Sequence, residues 1–310
     1  MRKVATVFGG TGFIGSQVTQ RLLHLDYVVR VVTRDPDKVR ALATDGVPGQ
    51  IVPLVPDITS EADITRAVAG ADAVVSLIGL LYEKRPGAFA RTHTELPGLI
   101  ARAARLAKVR RLTHISAIGA SPESPSLYAR TKAGGEALLR EHFPAATILR
   151  PSIVFGPGDG FFNRFAQLAR LLPFMPVVRG DTRLQPVYVG DVADAVIATL
   201  TRDDTPGRLY ELGGPRIAPF RDWLRLVLEV TGRRRRLVEL PDGLVALQAR
   251  IGDHLPNPPL TTDQLRMLSR DNVVSEGALT LADLGITPAA AEAIIPGYLN
   301  LYRHHRPINQ

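Results

Sequence analysis

Short apolar runs alternate with longer amphipathic segments over the first 150 residues of the chain. We interpret the apolar runs as strands that are covered on both faces and the amphipathic segments as helices. The predicted strands are Val4–Phe8, Val28–Val32, Ile51–Val55, Ala73–Ile78, Arg111–Ser116 and Thr147–Leu149. The predicted helices lie near 13–25, 60–69, 88–107 and 126–142. This alternation predicts an α/β protein with the Rossmann fold, a doubly wound parallel sheet with right-handed crossovers.

Three glycines at three-residue intervals join the first predicted strand to the first predicted helix. Gly9 permits the backbone angles of a tight turn, and Gly12 lets the main chain approach a phosphate without a Cβ in the way. Gly15 lets the helix lie close to its strand, and the helix dipole then faces the phosphate charge. We therefore predict a dinucleotide pyrophosphate site formed by Gly9, Gly10, Thr11, Gly12, Phe13, Ile14 and Gly15.

The Gly-x-x-Gly-x-x-Gly spacing resembles the glycine motif of the extended and atypical branches of the short-chain dehydrogenase/reductase superfamily. The resemblance implies that Asp57 and Ile58, which follow the third strand, border the adenine ring. For Asp57, a capping role at the next helix is the alternative interpretation, and both roles are compatible. The remaining contacts expected along the path to the nicotinamide are Leu77, Ile78, Gly79, Pro151 and Ile153.

The end of the second predicted strand indicates which nicotinamide cofactor binds. An acidic side chain there accepts hydrogen bonds from the 2′-hydroxyl of NAD, whereas an arginine pairs with the 2′-phosphate of NADP. Arg34 stands at the expected position, and Asp35 follows it, so a shift of one residue would exchange the two roles. We favour NADP(H) over NAD(H) and count Arg34 among the cofactor-binding residues.

Tyr128 and Lys132 form a Tyr-x-x-x-Lys pair in the predicted helix 126–142. One helical turn places both side chains on the same face. A lysine ammonium near the phenol favours the phenolate, so we expect Tyr128 to exchange a proton near neutral pH and Lys132 to hold the nicotinamide ribose. Ser116 precedes Tyr128 by the separation typical of the superfamily. The predicted catalytic residues are therefore Ser116, Tyr128 and Lys132, and Tyr128 and Lys132 are also predicted to contact the cofactor.

Two histidines lie close to these residues in the sequence. His93 occupies a region where extended members of the superfamily often carry an asparagine that supports the active-site lysine. We interpret His93 as a structural histidine with satisfied hydrogen bonds. His114 lies inside an apolar strand, and we interpret it as a core residue.

The alternation of strands and helices weakens after Arg150, where proline and glycine become frequent. We expect residues 1–150 to form the Rossmann dinucleotide-binding domain. Residues 151–310 are expected to form a smaller C-terminal lobe on the substrate side, partly interleaved with the Rossmann sheet. Two apolar clusters within 244–247 and 265–268 are interpreted as core-facing helices in preference to membrane anchors.

Composition excludes several kinds of chemistry. The chain has no cysteine, which excludes disulfides, thiolate metal sites and cysteine nucleophiles, and we predict no metal site. No apolar run approaches the ~20 residues that span a bilayer. The first strand begins at Val4 without a preceding apolar segment, so we expect no signal peptide and a cytoplasmic protein.

The formal net charge is +8, yet the sequence contains no nucleic-acid-binding motif and no aromatic stacking platform, so we expect no nucleic-acid partner. A bound anionic cofactor, an acidic partner protein or an acidic membrane surface accounts for the charge equally well. The basic run 233–236 is most simply a solvated loop. Beside the apolar face of 244–251, it would instead suit anionic lipid headgroups.

The C-terminal half carries a narrower resemblance, to the family of the 39 kDa accessory subunit of respiratory NADH:ubiquinone oxidoreductase, or complex I. The motifs that carry it are 148–159, 161–166, 185–193, 261–265, 271–272 and 281–286. The resemblance implies NADPH held as a structural ligand and a role around quinones or the respiratory complex. Leu184-Gln185-Pro186 stands where sugar-nucleotide epimerases usually have Arg-Asp-Phe, which disfavours a UDP-sugar substrate.

Three functions follow from these observations and remain open. The first is an NADP(H)-binding scaffold linked to complex I, peripheral at the inner face of the cytoplasmic membrane. The second is an active oxidoreductase on a quinone precursor or another hydrophobic, lipid-like carbonyl compound, which the complete Ser-Tyr-Lys set favours. The third and weakest is a protein that uses NADPH occupancy as a redox signal.

Overall fold

The computed structural model describes residues 2–42, 46–83, 85–253, 255 and 260–303. They form two compact units. The first contains the described residues within Met1–Pro151, Val189–Leu212 and Ser275–Thr287, and the second contains those within Ser152–Tyr188, Gly213–Val274 and Pro288–Gln310. Two segments from beyond residue 150 therefore belong to the first unit.

Strands and helices alternate through the first unit and become shorter in the second. The strands are β1 (Val4–Phe8), β2 (Val28–Val32), β3 (Ile51–Leu54), β4 (Ala73–Ser76), β5 (Arg111–Ile115), β6 (Thr147–Pro151), β7 (Val154–Phe155), β8 (Phe174–Val177), β9 (Arg183–Leu184), β10 (Val187–Tyr188), β11 (Leu209–Leu212), β12 (Ala218–Pro219) and β13 (Arg236–Glu239). The helices are α1 (Phe13–His24), α2 (Asp37–Leu42), α3 (Glu61–Val68), α4 (Leu96–Leu106), α5 (Leu127–His142), α6 (Phe162–Leu171), α7 (Val189–Thr201), α8 (Phe220–Val230), α9 (Asp242–Gly252), α10 (Thr262–Met267) and α11 (Ala291–Leu299). Turns of 3₁₀ helix cover Ala282–Leu284 and Asn300–Tyr302.

The first unit is built on a seven-stranded sheet in the order β11-β6-β5-β4-β1-β2-β3, with every neighbouring pair parallel. This confirms the predicted doubly wound Rossmann sheet. The strand order reverses between β1 and β4, where Phe8 pairs with both Val32 and Ser76. Ligands of such sheets bind at the carboxyl ends of the strands beside this reversal, so the fold places the glycine loop at the expected binding edge.

Apolar side chains of the strands and helices hold the sheet together. Phe8, Val74 and Leu112 pack with Ile64 of α3 and Ile100 of α4 in one buried cluster. Each of these side chains is at most 2% exposed. Detaching a helix would expose its apolar face to water, and this free-energy cost keeps the helices on the sheet.

The predicted elements differ from the structure mainly at their ends. The strands β3, β4 and β5 stop one or two residues earlier than predicted, so Ser116 follows its strand directly. The predicted helix 88–107 is a π-helix, Ala90–Glu95, that continues into α4. Pro97 lies just after this π-helix, at the start of α4. Because proline lacks an amide hydrogen, it cannot continue the pattern in which the Leu96 amide donates to the Arg91 carbonyl.

The second unit has its own apolar core, in which Phe155, Phe162 and Trp223 are fully buried. Two-stranded pairings join β7 with β10, β8 with β13, and β9 with β12. The Tyr298 hydroxyl donates to Asp159 Oδ2 at 2.5 Å and ties α11 to the loop before α6. Burial and the hydrogen bond to Asp159 raise the pKa of Tyr298, so this contact keeps its proton at physiological pH.

The interpretation of 244–247 and 265–268 as core-facing segments is only partly right. Helix α9 buries Val245 and Ala249 but leaves Leu244, Leu247 and Ile251 more than half exposed on its opposite face. Helix α10 has no buried residue. The capping box formed by Thr261 and Gln264, not a buried apolar face, is what stabilises the start of α10.

Candidate functional site

The glycine loop closes tightly between β1 and α1. Gly9 has a φ of +83°, and the Gly12 amide donates to the Gly9 carbonyl at 3.0 Å. A Cβ at Gly15 would lie 2.0 Å from the same carbonyl oxygen, so only glycine permits this approach. Gly12 is the exposed N-cap of α1, whose first amides have no intrahelical acceptor. This cradle fits the pyrophosphate of a dinucleotide.

The other strand ends support the loop. The Thr11 hydroxyl lies 3.0 Å from the Thr33 hydroxyl just after β2. On the β4 side, the Leu77 amide donates to the Phe8 carbonyl at 3.0 Å. A Cβ at Gly9 would lie 3.2 Å from Ile78 Cγ1, so the residues after β4 pack against the glycine turn. The predicted pyrophosphate contacts and the predicted contacts after β4 therefore form one continuous surface.

The two side chains considered for recognition of the ribose differ in their partners. Arg34 is exposed and pairs with no carboxylate among the residues that the structure describes. The Asp35 carboxylate accepts the Asp37 amide at 3.2 Å and lies 3.6 Å from the ammonium of Lys38. Asp35 is thus engaged by α2, whereas the guanidinium of Arg34 is available to an anion.

Asp57 does not cap α3, the alternative role considered for it, but closes the turn before this helix. Its Oδ1 accepts both the amide and the hydroxyl of Thr59, at 2.9 and 2.7 Å, and these bonds lower the pKa of its carboxyl. The actual N-cap of α3 is Ser60, which accepts the Asp63 amide. Asp57 remains exposed and Ile58 half-buried, which leaves an adenine contact by both residues as a prediction.

The structure places the three predicted catalytic residues near the end of β5. Ser116 follows β5, and its buried Oγ has no hydrogen-bond partner within the described part of the chain. Lys132 is only 4% exposed, and its Nζ donates to the Ile115 carbonyl at 3.0 Å. That Nζ lies 6.0 Å from the ring centroid of Tyr128, one turn earlier on α5. Buried Ser116 Oγ therefore needs an oxygen or nitrogen from a ligand or water.

The pKa values of Tyr128 and Lys132 differ from those expected from the sequence. Burial raises the pKa of Tyr128 to about 12, and it lowers the pKa of Lys132 to about 8. Burial is the cause of the raised pKa of Tyr128, and it outweighs the stabilisation of the phenolate that was expected from Lys132. Tyr128 is therefore a protonated phenol at neutral pH, which suits the donation of a proton to a carbonyl oxygen.

His93 has a larger part in this site than its interpretation as a structural histidine implied. It lies in the π-helix and is fully buried. Its Nε2 accepts the Leu80 amide at 2.9 Å, and its Nδ1 lies 3.2 Å from the Thr131 hydroxyl, which donates to the Tyr128 carbonyl at 3.0 Å. The ring also stands edge-on to Tyr128, with centroids 5.1 Å apart. His93 thus connects the loop after β4 to the turn of α5 that carries Tyr128.

The bonding of His93 requires it to be neutral. Burial, followed by the charge of Lys132, lowers its pKa to about 3. An Nε2 that accepts the Leu80 amide leaves the proton on Nδ1, which then donates to the Thr131 hydroxyl. Sequence position had indicated a buried histidine but not its partners, because Leu80 and Thr131 are distant from it along the chain.

The structure also gives the hydrogen-bond partners of His114, Pro151 and Ile153. His114 Nδ1 lies 3.1 Å from the Ser76 hydroxyl, and within the described residues its buried Nε2 has no partner. Pro151 ends β6, and its carbonyl accepts the Ile118 amide at 3.1 Å. Ile153 lies in the second unit, where its carbonyl accepts the Val187 amide. The cofactor contacts predicted for Pro151 and Ile153 stay predictions.

A parallel doubly wound sheet, a glycine cradle at its strand reversal and a Ser-Tyr-Lys set together define a dinucleotide-binding protein of the short-chain dehydrogenase type. The chain belongs to the NAD dependent epimerase/dehydratase family, whose model matches residues 5–213. Binding of an NAD(P) dinucleotide is a property of this fold and family.

The curated relatives confirm the narrower resemblance. Subunit 9 of the NADH dehydrogenase (ubiquinone) 1 alpha subcomplex, mitochondrial, from Dictyostelium discoideum is 32% identical over 98% of this chain and 85% of the relative. The subunit of the same name from Arabidopsis thaliana is 33% identical over 98% and 79%. A ceramide reductase from Caulobacter vibrioides is 31% identical over 78% of this chain and 74% of its own length.

Solved structures support the fold. UDP-glucose 4-epimerase from Thermotoga maritima has a TM-score of 0.72 and covers 96% of this chain and 98% of its own, at 18% identity. Among the described residues, no helix has the length and apolarity to cross a membrane. The same residues contain no group of three His, Asp or Glu side chains that could hold a metal ion.

Proposed function

We propose that this protein binds NADP(H) as a structural ligand and lies at the inner face of the cytoplasmic membrane. There it associates with respiratory complex I or takes part in ubiquinone metabolism. The observation that carries this proposal is the similarity to complex I subunits over 98% of the chain, which extends beyond the family model's match to 5–213. Native mass spectrometry of the purified protein tests it. Co-purified NADPH that resists exchange and oxidation supports a structural ligand, and its absence from every preparation overturns that role.

The preference for NADP(H) rests on Arg34. Its exposed guanidinium has no carboxylate partner among the described residues, and a 2′-phosphate is the anion that a guanidinium binds through two parallel hydrogen bonds. Asp35, the alternative ribose contact, is already engaged by Lys38 and the Asp37 amide.

We expect Arg34→Gln to weaken NADPH binding roughly 30-fold, because a charge-assisted hydrogen-bond pair contributes about 2 kcal/mol. NADH affinity should stay within about twofold, since NADH lacks the 2′-phosphate. Fluorescence titration of both cofactors measures this. Arg40→Gln is the matched control, since Arg40 is an exposed arginine of α2 that pairs with Asp37. Equal losses for NADPH and NADH in Arg34→Gln would contradict the assignment.

The lowered pKa of Lys132 predicts how the affinity for NADPH depends on pH. Its pKa of about 8 lies below the ordinary 10.5, so the side chain loses its charge as the pH rises through 8. If protonated Lys132 holds the ribose, NADPH affinity falls up to about tenfold per pH unit above 8. Titrations from pH 7 to about 9.5 should show this decline in the wild type. Lys132→Met should bind more weakly and with no inflection near pH 8.

The alternative function is reduction of a carbonyl compound, favoured by the unpartnered Oγ of Ser116 and by similarity to a ceramide reductase. Bound NADPH would supply a hydride to the carbonyl carbon. Ser116 would hold the carbonyl oxygen, and the Tyr128 phenol would donate its proton to that oxygen to give the alcohol. Lys132 would hold the cofactor ribose, and solvent would return the proton to Tyr128.

A hydrophobic substrate, such as a quinone precursor or a lipid, suits this alternative better than a UDP-sugar. Gln185, at the position where epimerases usually have an aspartate, donates to the Gly214 carbonyl at 2.8 Å and accepts the Val274 amide at 2.9 Å. Its side chain is thereby committed to the backbone of the second unit. Consumption of NADPH by one compound class in a panel of quinones and carbonyl compounds would establish turnover.

A further inference from the structure

The basic run 233–236 is part of a built surface of the second unit and not a freely solvated loop. Arg233 and Arg235 are half-buried, whereas Arg234 and Arg236 are exposed. Arg233 donates from Nε and Nη2 to the Tyr302 carbonyl, at 3.4 and 3.2 Å, and Arg235 donates from Nε to the Ala169 carbonyl at 3.2 Å. These bonds hold both guanidiniums against the ends of α6 and of the 3₁₀ turn at 300–302.

An open groove of about 620 Å³ lies at this place. It is lined by Leu228, Glu229, Gly232, Arg233, Arg234, Arg235 and Arg303. None of the four arginines forms an ion pair with a carboxylate within the part of the chain that the structure describes. One carboxylate, that of Glu229, faces four guanidiniums, so the groove keeps a strong positive charge.

The neighbours of Arg233 add to this charge. Burial, then the charges of Arg235 and Arg170, lower the pKa of Arg233. Like charges held together in this way repel each other, and a bound anion removes the repulsion. The planar guanidinium forms paired hydrogen bonds with phosphate oxygens, so a phosphate group is the anion that this groove best accommodates.

Two strongly exposed leucines are close in sequence to the residues that bind the arginines of the groove. Leu171 is 76% exposed and lies two residues after Ala169, which binds Arg235. Leu301 is 88% exposed and precedes Tyr302, which binds Arg233. Large apolar side chains next to basic ones are characteristic of surfaces that enter the headgroup region of a bilayer.

We propose that this groove, with Leu171 and Leu301, docks onto a membrane surface that contains anionic phospholipids. The arginines bind the lipid phosphates, and the two leucines enter the boundary between headgroups and acyl chains. This inference rests on the peripheral membrane association in the proposed function and assigns it to a surface of the second unit. It holds whether or not NADPH is bound or oxidised.

Flotation of the full-length protein with phosphatidylcholine vesicles, with and without phosphatidylglycerol, tests the proposal. We expect binding to the anionic vesicles that decreases as the salt concentration is raised. Arg234→Gln/Arg303→Gln should lower the partition coefficient roughly 25-fold, about fivefold per arginine. Arg105→Gln/Arg110→Gln, which removes the same charge from two exposed positions in the first unit, should lower it less than twofold.

A second pair of variants separates insertion from charge attraction. Leu171→Ser/Leu301→Ser should weaken vesicle binding, whereas Leu25→Ser/Leu106→Ser, at exposed leucines of the first unit, should not. Equal losses in both arginine pairs, or no binding to anionic vesicles, would overturn the proposal. So would binding of inorganic phosphate or of an acidic protein without vesicle binding. NADPH titration of each variant shows separately whether the cofactor site is intact.

Discussion

Replacing Gly12 by valine is expected to abolish dinucleotide binding in a protein that still folds. Gly12 is exposed at the start of α1, and a Cβ there would lie 3.2 Å from the Gly9 carbonyl, a contact that a small shift relieves. The branched side chain would, however, occupy the space in which a pyrophosphate contacts the helix amides. Loss of two charge-assisted hydrogen bonds costs about 3 kcal/mol or more, a weakening of at least roughly 100-fold.

Two measurements distinguish this effect from unfolding. Valine is a poor N-cap, so the thermal midpoint of Gly12→Val should fall by only a few degrees, roughly what about 1 kcal/mol gives in a domain of this size. Gly160→Val is the control, since a Cβ at Gly160 meets no atom within 4 Å, and it should bind NADPH normally. Retained NADPH affinity in Gly12→Val would contradict the assignment of this loop.

Replacing Tyr128 by phenylalanine separates the two proposed functions. If the protein reduces a carbonyl compound, loss of the phenolic proton should lower the rate of NADPH oxidation by roughly 10²- to 10⁴-fold. The affinity for NADPH should stay unchanged, because the ring and its edge-on contact with His93 are retained. A scaffold should keep both its bound NADPH and its association with respiratory subunits in the same variant.

The readouts of Tyr128→Phe are single-turnover NADPH fluorescence and co-purification with the respiratory complex. Tyr82→Phe is the matched control, because it also removes a phenolic hydroxyl but lies outside the proposed catalytic set. A wild type that oxidises NADPH with one substrate class and a Tyr128→Phe variant that does so equally fast would eliminate the proposed proton donor.

Patterns within short segments allowed much of the fold to be predicted. The apolar runs gave β1 and β2 with their observed ends, because parallel strands buried on both faces need continuous apolar sequence. The spacing of Gly9, Gly12 and Gly15 predicted the cradle for a similar reason, since backbone approach depends on the absence of a side chain.

Features that depend on contacts between distant segments were not predicted. The π-helix at His93 accompanies a close approach of Gly135, where a Cβ would lie 1.9 Å from the His93 carbonyl oxygen. The raised pKa of Tyr128 depends on burial by the folded chain, and no pattern around Tyr-x-x-x-Lys reports it. The arginine groove likewise forms only because Tyr302 and Ala169 come next to 233–235 in the folded protein.

The bonding of His93 bears on why a protein without turnover would retain catalytic side chains. The ring of Tyr128 packs edge-on against the ring of His93. The Leu80 amide fixes the tautomer of His93 by donating to Nε2, and Thr131, in the following turn of the same helix as Tyr128, is the partner of Nδ1. Loss of the aromatic ring would therefore loosen the Leu80 loop even if no proton were ever transferred. Selection for a rigid cofactor pocket alone thus preserves an aromatic ring at this position, and an intact Tyr-x-x-x-Lys pair is not sufficient to infer an active enzyme.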